Sequence, residues 1–443
     1  MADTTSTSLH CSFCGVEKSP QVPLIAGNEG RICEACVNLA HQVVNSWGHR
    51  RKSRSATPEL RTPVAIKQHL DAYVVGQDAA KETLAVAVFN HYLRLQSREK
   101  QPFSPLQESV ELEKANILLV GPSGTGKTLL VRSLALILGV PFAAADATAL
   151  TQAGYVGDDV DSIIVRLLEA AGGDVQQAHW GIVYIDEVDK LAKRGGGSAA
   201  VRDISGEGVQ QALLKLVEGT ELRLPKSGRR REGGEELTVD TSNILFIVGG
   251  AFPGLEELVG SRVRPPQGGM GFLKPPAALT EALSVNTLMA ALLPDDLQDF
   301  GLIPEFIGRF PIITFLKELD HATLVRILTE PRNALVKQYQ KIFELQGVEL
   351  DVTAAAVDFI ATQALARHTG ARGLRAVLEA ALHQTMFTLP STPGLARYVL
   401  DAPAAENGES ALVVVSTPIE APASLDPAAL ENFPAAPARQ ASF

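Results

Sequence analysis

The sequence predicts an α/β protein: a domain on a largely parallel sheet, followed by a smaller, mainly helical domain and preceded by a four-cysteine module. Three observations predict it. Short apolar runs of strand length, Ile117–Val120, Ile182–Ile185, Ile244–Val248 and Ile312–Phe315, alternate with segments of helical apolar spacing such as Lys127–Leu138 and Val160–Ala171. From Glu318 to about Leu389 the spacing turns mostly helical. All four cysteines lie within the first 36 residues.

Taken in order, the chain divides into a cysteine module (1–48), a linker (49–61), the α/β domain (62–317), the helical domain (318–416) and a tail (417–443). The linker contains His49-Arg50-Arg51-Lys52-Ser53-Arg54, too poor in apolar residues to fold on itself. Ser97–Lys114 is charged and contains proline, and reads as a surface loop. The last 27 residues hold 8 Ala and 5 Pro, a composition that disfavours both strand and packed helix. No repeat of solenoid spacing occurs.

The 443 residues are enough for two or three domains with a sizeable core, and 46% hydrophobic with 20% charged residues is an ordinary globular balance. A net charge of −10 disfavours general nucleic-acid binding. Four cysteines are too few for a disulfide-dense scaffold. Met1-Ala2-Asp3-Thr4-Thr5 lacks the basic start and apolar stretch of a secretory signal, and no apolar run reaches membrane-helix length, so a cytoplasmic protein is expected.

Gly121-Pro122-Ser123-Gly124-Thr125-Gly126-Lys127-Thr128 fits the phosphate-binding pattern G-x-x-x-x-G-K-[ST], between a strand and a helix as that pattern requires. Its glycines let backbone N–H groups converge on phosphates, and the helix N-terminus adds partial positive charge. Lys127 would bridge the β- and γ-phosphates of a nucleotide, ATP by the resemblance given below, and Thr128 would place its hydroxyl on Mg²⁺, with Leu129 beside it. The strand Ile182–Ile185 then delivers Asp186 and Glu187 at its C-terminal end, where ligands of such sheets bind. Asp186 would hold Mg²⁺ through water and Glu187 would polarise the attacking water.

Cys11-x-x-Cys14 and Cys33-x-x-Cys36, 18 residues apart, match a structural four-thiolate Zn²⁺ site. A redox dithiol or two disulfides are the alternatives. The first expects a single CxxC near a βαβ unit, and a reducing cytosol disfavours the second.

These motifs in this order resemble the ClpX family, hexameric AAA+ P-loop unfoldases that feed the ClpP peptidase. The likeness runs from Cys11 to about Pro390. It rests also on Tyr73-Val74-Val75-Gly76-Gln77, Ala153-Gly154-Tyr155-Val156-Gly157, Arg202–Gln211, Gly301–Arg309 and Thr369–Arg375. The resemblance implies that Val74, Val75 and Gly76 line the adenine pocket, that Arg309 is an arginine finger acting on a neighbour's γ-phosphate, and that Arg372 is the small domain's sensor arginine. It implies that Tyr155 and Val156 are the axial pore loop and Gly195–Arg202 a second one. Arg229, Arg230 and Arg231 stand where the family carries Arg-Lys-His at the pore entrance, keeping the charge and losing a titrating histidine. Met270, Gly271 and Phe272 stand where the protease-docking loop has Ile/Leu-Gly-Phe; Met is flexible and close to Leu in volume. Gly249-Gly250 offers no polar side chain after its strand, so the first sensor position is unassigned.

The implied activity is ATP-driven unfolding and translocation of protein substrates, some delivered by adaptors, by a homo-hexamer with no peptidase activity of its own. The zinc module would recognise substrates or adaptors and dimerise. No membrane and no nucleic-acid partner is expected. The alternatives are a ClpP-independent remodeller, a related ring ATPase serving another peptidase, and a nucleic-acid loader carrying a zinc ribbon.

Overall fold

The computed structural model describes residues 9–20, 22–27, 30–40, 60–100, 112–151, 158–193, 206–225, 236–263, 284–367, 369–391, 395–402 and 413–418. Its centre is a five-stranded, wholly parallel sheet in the order Ile312–Phe315, Ile117–Val120, Leu245–Gly250, Ile182–Asp186, Phe142–Asp146. Parallel neighbours need crossovers, which here put helices on both faces. The pleat explains the continuous apolar runs. Leu118, Val120, Val183, Ile185, Phe246 and Val248 belong to one core, and Ile117, Leu119, Ile182, Tyr184, Leu245 and Ile247 to the other. With both faces covered, neither half of a strand can be polar.

The second domain packs the helices His321–Thr329, Leu335–Glu344, Ala354–Ala366 and Ala371–Thr388 around their own core. It also contains a three-stranded sheet in the order Glu349–Val352, Leu395–Asp401, Val413–Pro418. The cysteine module is an antiparallel pair, Leu24–Ala26 with Arg31–Cys33, leading into a helix over 34–40.

The α/β class, the parallel sheet and the mainly helical second domain are as expected. Four local expectations are corrected. The helix expected over Val160–Ala171 is Ser162–Ala170; Val160 and Ala171 are buried but flank it. The strand expected over Ile244–Val248 is Leu245–Gly250, because Gly249 and Gly250 continue in register beside Leu119 and Val120. The expected loop Ser97–Lys114 begins inside the helix Asp78–Lys100. At its far end Lys114 turns inward, donating to the carbonyls of Val217 and Thr241 at 3.1 and 3.3 Å with its ammonium 4.6 Å from the Phe246 ring centroid. The tail expected from Thr417 instead begins as strand, since Val413–Pro418 pairs antiparallel with Leu395–Asp401. The rest of the tail and the linker up to residue 59 lie outside the described residues.

Candidate functional site

A cleft of about 870 Å³ opens at the C-terminal ends of the strands, between the two domains. Its floor is the phosphate loop. Gly121 closes against the sheet, its N–H donating to Gly250 O at 3.1 Å. A Cβ on Gly124 would stand 2.7 Å from Thr369 O, so only glycine lets the loop approach the start of the helix Ala371–Thr388 this closely. Ser123, Gly124, Gly126, Lys127, Thr128 and Leu129 line the cleft. Pro122 O accepts from Thr125 Oγ1 at 2.9 Å, which braces the turn.

Lys127 is buried, and its Nζ donates to the carbonyls of Gly121 and Pro122. Burial lowers its pKa; Asp186, the next influence, pulls the other way. The ammonium is thus held inside the loop where phosphate oxygens would replace the carbonyls. Thr128 Oγ1 donates to Asp186 Oδ2 at 3.0 Å, although 58 residues separate them. A hydroxyl beside a carboxylate is the oxygen donor set that suits Mg²⁺, so this pair fits the ion. Asp186 Oδ1 accepts the N–H of Glu187 at 3.0 Å. Glu187 stands at φ 59°, in the left-handed region that a non-glycine residue seldom occupies. That turn carries the chain off the strand and sets Glu187 on the cleft wall next to Asp186.

The small domain closes the cleft from the other side. Arg372 Nη1 donates to Ser123 Oγ at 3.2 Å, and Arg375 and Gln338 also line it. Where the chain leaves the α/β domain, a reciprocal pair anchors it: Gln77 Nε2 donates to Lys317 O at 2.9 Å and Lys317 N–H donates to Gln77 Oε1 at 2.8 Å.

Val74, Val75 and Gly76 are not among the residues lining this cleft. Val74 and Val75 are buried, Val74 in the core and Gly76 in a turn at φ 64°. The apolar wall is Tyr73 with Ile327, Pro331 and Leu335. The last three come from the small domain, about 250 residues away in the chain, and no local signal could have found them. Asp189 was also missed. It lies at the end of the strand Leu245–Gly250, its Oδ1 accepting from Ala251 N–H at 3.1 Å. Gly250 leaves it room, for a Cβ there would sit 2.7 Å from that oxygen.

Arg309 lies away from the cleft of its own chain and pairs with Glu218, Nη2 to Oε1 2.6 Å. Asn116 Nδ2 holds the Arg309 carbonyl at 3.0 Å. Gln210, fully buried, donates to Leu191 O at 2.8 Å and accepts from Ile303 N–H at 2.9 Å. It ties the turn after Glu187 to the segment that carries Arg309. The expected pore residues Tyr155, Val156, Arg229, Arg230 and Arg231, the stretch Gly195–Arg202 and the docking residues Met270, Gly271 and Phe272 lie outside the described residues.

The four cysteine sulfurs of Cys11, Cys14, Cys33 and Cys36 lie within 4.8 Å of one another. Sulfurs about 2.3 Å from a tetrahedral zinc stand roughly 3.8 Å apart, so this clustering fits the ion. Cys14 Sγ and Cys33 Sγ are 3.6 Å apart, and Cys33 N–H donates to Cys11 Sγ at 3.3 Å.

Residues 112–313 match the family described as AAA domain (Cdc48 subfamily), residues 9–46 the ClpX C4-type zinc finger, and residues 319–397 the C-terminal, D2-small domain of ClpB protein. A relative from Azotobacter vinelandii, named ATP-dependent Clp protease ATP-binding subunit ClpX, is 72% identical over 92% of this chain and 92% of its own. Another, from Methylococcus capsulatus and named ATP-dependent Clp protease ATP-binding subunit ClpX 3, is 56% identical over 90% of this chain and 93% of its own. Among the described residues no helix is long and apolar enough to cross a membrane.

Proposed function

The chain belongs to the ClpX family of AAA+ ATPases, and from that premise we propose that it is a cytoplasmic, ATP-driven protein unfoldase and translocase that threads its substrates into the ClpP peptidase. The observation that carries this reading is the Thr128–Asp186 hydrogen bond at 3.0 Å in a cleft walled by both domains, within a chain 72% identical to a ClpX. Bound Mg²⁺ would draw charge from the phosphates; Thr128 and Asp186 are the residues to hold it. Lys127 would exchange its two carbonyl partners for phosphate oxygens. Glu187 would orient water and take its proton.

Coupling follows from where the small domain grips the loop. Arg372 reaches Ser123, and Gly124 touches Gly370 backbone to backbone. A change of charge at the loop would therefore tilt the small domain about the Gln77–Lys317 connection. In a homo-hexamer, Arg309 would leave Glu218 to stabilise charge in the neighbour's cleft. Tyr155 and Val156 would grip the substrate in the axial pore, with Arg229, Arg230 and Arg231 at its entrance. The zinc module would recognise substrates or adaptors and dimerise.

A ClpP-independent remodeller is the second reading, favoured by the Met at position 270 of the docking loop. Degradation of a folded, tagged reporter with ATP separates them. Loss of the reporter only when ClpP is added supports the first reading. Unfolding without degradation in the presence of ClpP supports the second, and an intact reporter under all conditions rejects both.

A further inference from the structure

At the opposite edge of the sheet from the nucleotide cleft lies a second cleft of about 230 Å³, lined by Leu95, Arg98, Gln176, His179, Trp180 and Asn243. Beside it is a buried charge that no carboxylate pairs with among the described residues. Arg94 is 4% exposed. Its Nη2 has only long contacts, 3.4 Å to Asn243 Oδ1 and 3.5 Å to Ser242 O. Its Nε and Nη1 are buried with no hydrogen-bond partner, and among the described residues it forms no ion pair. Burial and the neighbouring charge of Arg98 both work against its cationic form, and among the described residues no carboxylate offsets them.

A guanidinium cannot shed its proton in this range, so burying it unpaired is expensive, and buried charges are as a rule paired. The partner that is called for is an anion. Two more donors stand at the same place: the Arg98 guanidinium on the cleft wall and the ring of His179, whose Nε2 is buried without a partner. Asn243 joins the two, touching Arg94 and lining the cleft. The floor is held rigid, since Tyr92 Oη donates to Trp180 O at 2.8 Å and the two rings stack at 6.1 Å. Guanidinium nitrogens without a partner, here Nε and Nη1, suit an oxyanion with several acceptor oxygens better than a halide.

We propose that this cleft is an oxyanion-binding site, taking one phosphate- or sulfate-sized ion against Arg98 and His179 on its wall, with the Arg94 charge behind Asn243 attracting it. It sits at the N-terminal ends of the strands, since Trp180 precedes Ile182–Asp186 and Asn243 precedes Leu245–Gly250. It is therefore separate from the phosphate loop and does not depend on the proposed unfolding activity.

The test is calorimetric titration of the full chain with sodium sulfate, with the nucleotide cleft saturated by a non-hydrolysable ATP analogue and sodium chloride at matched ionic strength as the control. One sulfate per chain is expected. Arg98→Gln and His179→Gln should each weaken binding by about tenfold, and Arg94→Leu should abolish it. The two surface-side variants keep the test valid if Arg94→Leu does not fold. No heat above the chloride control, or equal affinity in wild type and all variants, overturns the proposal.

Discussion

The Arg309 guanidinium rests on the Glu218 carboxylate of its own chain, with Nη2 and Nε at 2.6 and 2.9 Å from the same oxygen, Oε1. Both side chains are about half exposed, and an exposed pair of this kind contributes little to stability. The bond is therefore weak enough to be exchanged for a stronger anion. If that anion is a neighbour's γ-phosphate, Arg309→Ala should bind nucleotide normally and lose hydrolysis by about 10³-fold. Mixing it with Glu187→Gln protein should restore part of the turnover, because each supplies what the other lacks. A mixture as inactive as its components would place Arg309 outside the active site.

Glu187 and Asp186 divide the work at the end of their strand. Glu187→Gln keeps the shape and removes the proton acceptor, so ATP affinity should stay within a few-fold while turnover falls at least about 100-fold. Equilibrium binding of a fluorescent nucleotide, set beside phosphate release, reads both. Turnover near wild type would mean that another group activates the water.

Lys114 gives the stability of the α/β domain a pH dependence of known sign. Burial, reinforced by Arg94, pushes its pKa down to about 7, whereas an unfolded chain keeps the ordinary lysine value near ~10.4. Between those values the unfolded state binds more protons, so stability rises with pH, by at most about 1.4 kcal/mol per unit. The lysine's unfavourable charge is fully felt below about pH 7. Urea unfolding at pH 7 and pH 9 should show wild type gaining more than Lys114→Met. Equal gains would mean that Lys114 does not titrate in this range.

The zinc module should carry one metal ion per chain. Cys14→Ser should lose it together with the fold of the first 40 or so residues, because so small a unit has little core of its own. Nucleotide hydrolysis should persist, since none of the cysteines lines the cleft. Metal analysis near zero for the wild type would remove zinc from the account.

Much of the nucleotide site was legible because its parts are contiguous. Gly121–Thr128 is one loop, and Asp186 and Glu187 end one strand, so periodicity and local chemistry sufficed. What was hidden depends on residues meeting across the fold. Tyr73 lines the cleft while its neighbour Val74 turns into the core, and a sequence cannot say which of two adjacent apolar residues faces which way at a turn. Ile327, Pro331 and Leu335 reach the cleft only because the second domain folds back over Gly124. Lys114 read as loop because its charge gave no hint of the carbonyls of Val217 and Thr241 or the ring of Phe246. Gly249 and Gly250 read as following a strand, yet they are its last two residues: a Cβ at 249 would meet Tyr184 Oη at 2.4 Å.

The central claim is that ATP turnover in this cleft does mechanical work on a polypeptide gripped by Tyr155. The most direct measurement follows the unfolding of a stable, tagged fluorescent protein and ATP hydrolysis in the same tube, for wild type and Tyr155→Ala. Wild type should hydrolyse ATP and extinguish the fluorescence, while the variant hydrolyses at a similar rate and leaves the substrate folded. Unfolding by the variant at the wild-type rate, or brisk hydrolysis by wild type with the substrate untouched, would contradict it.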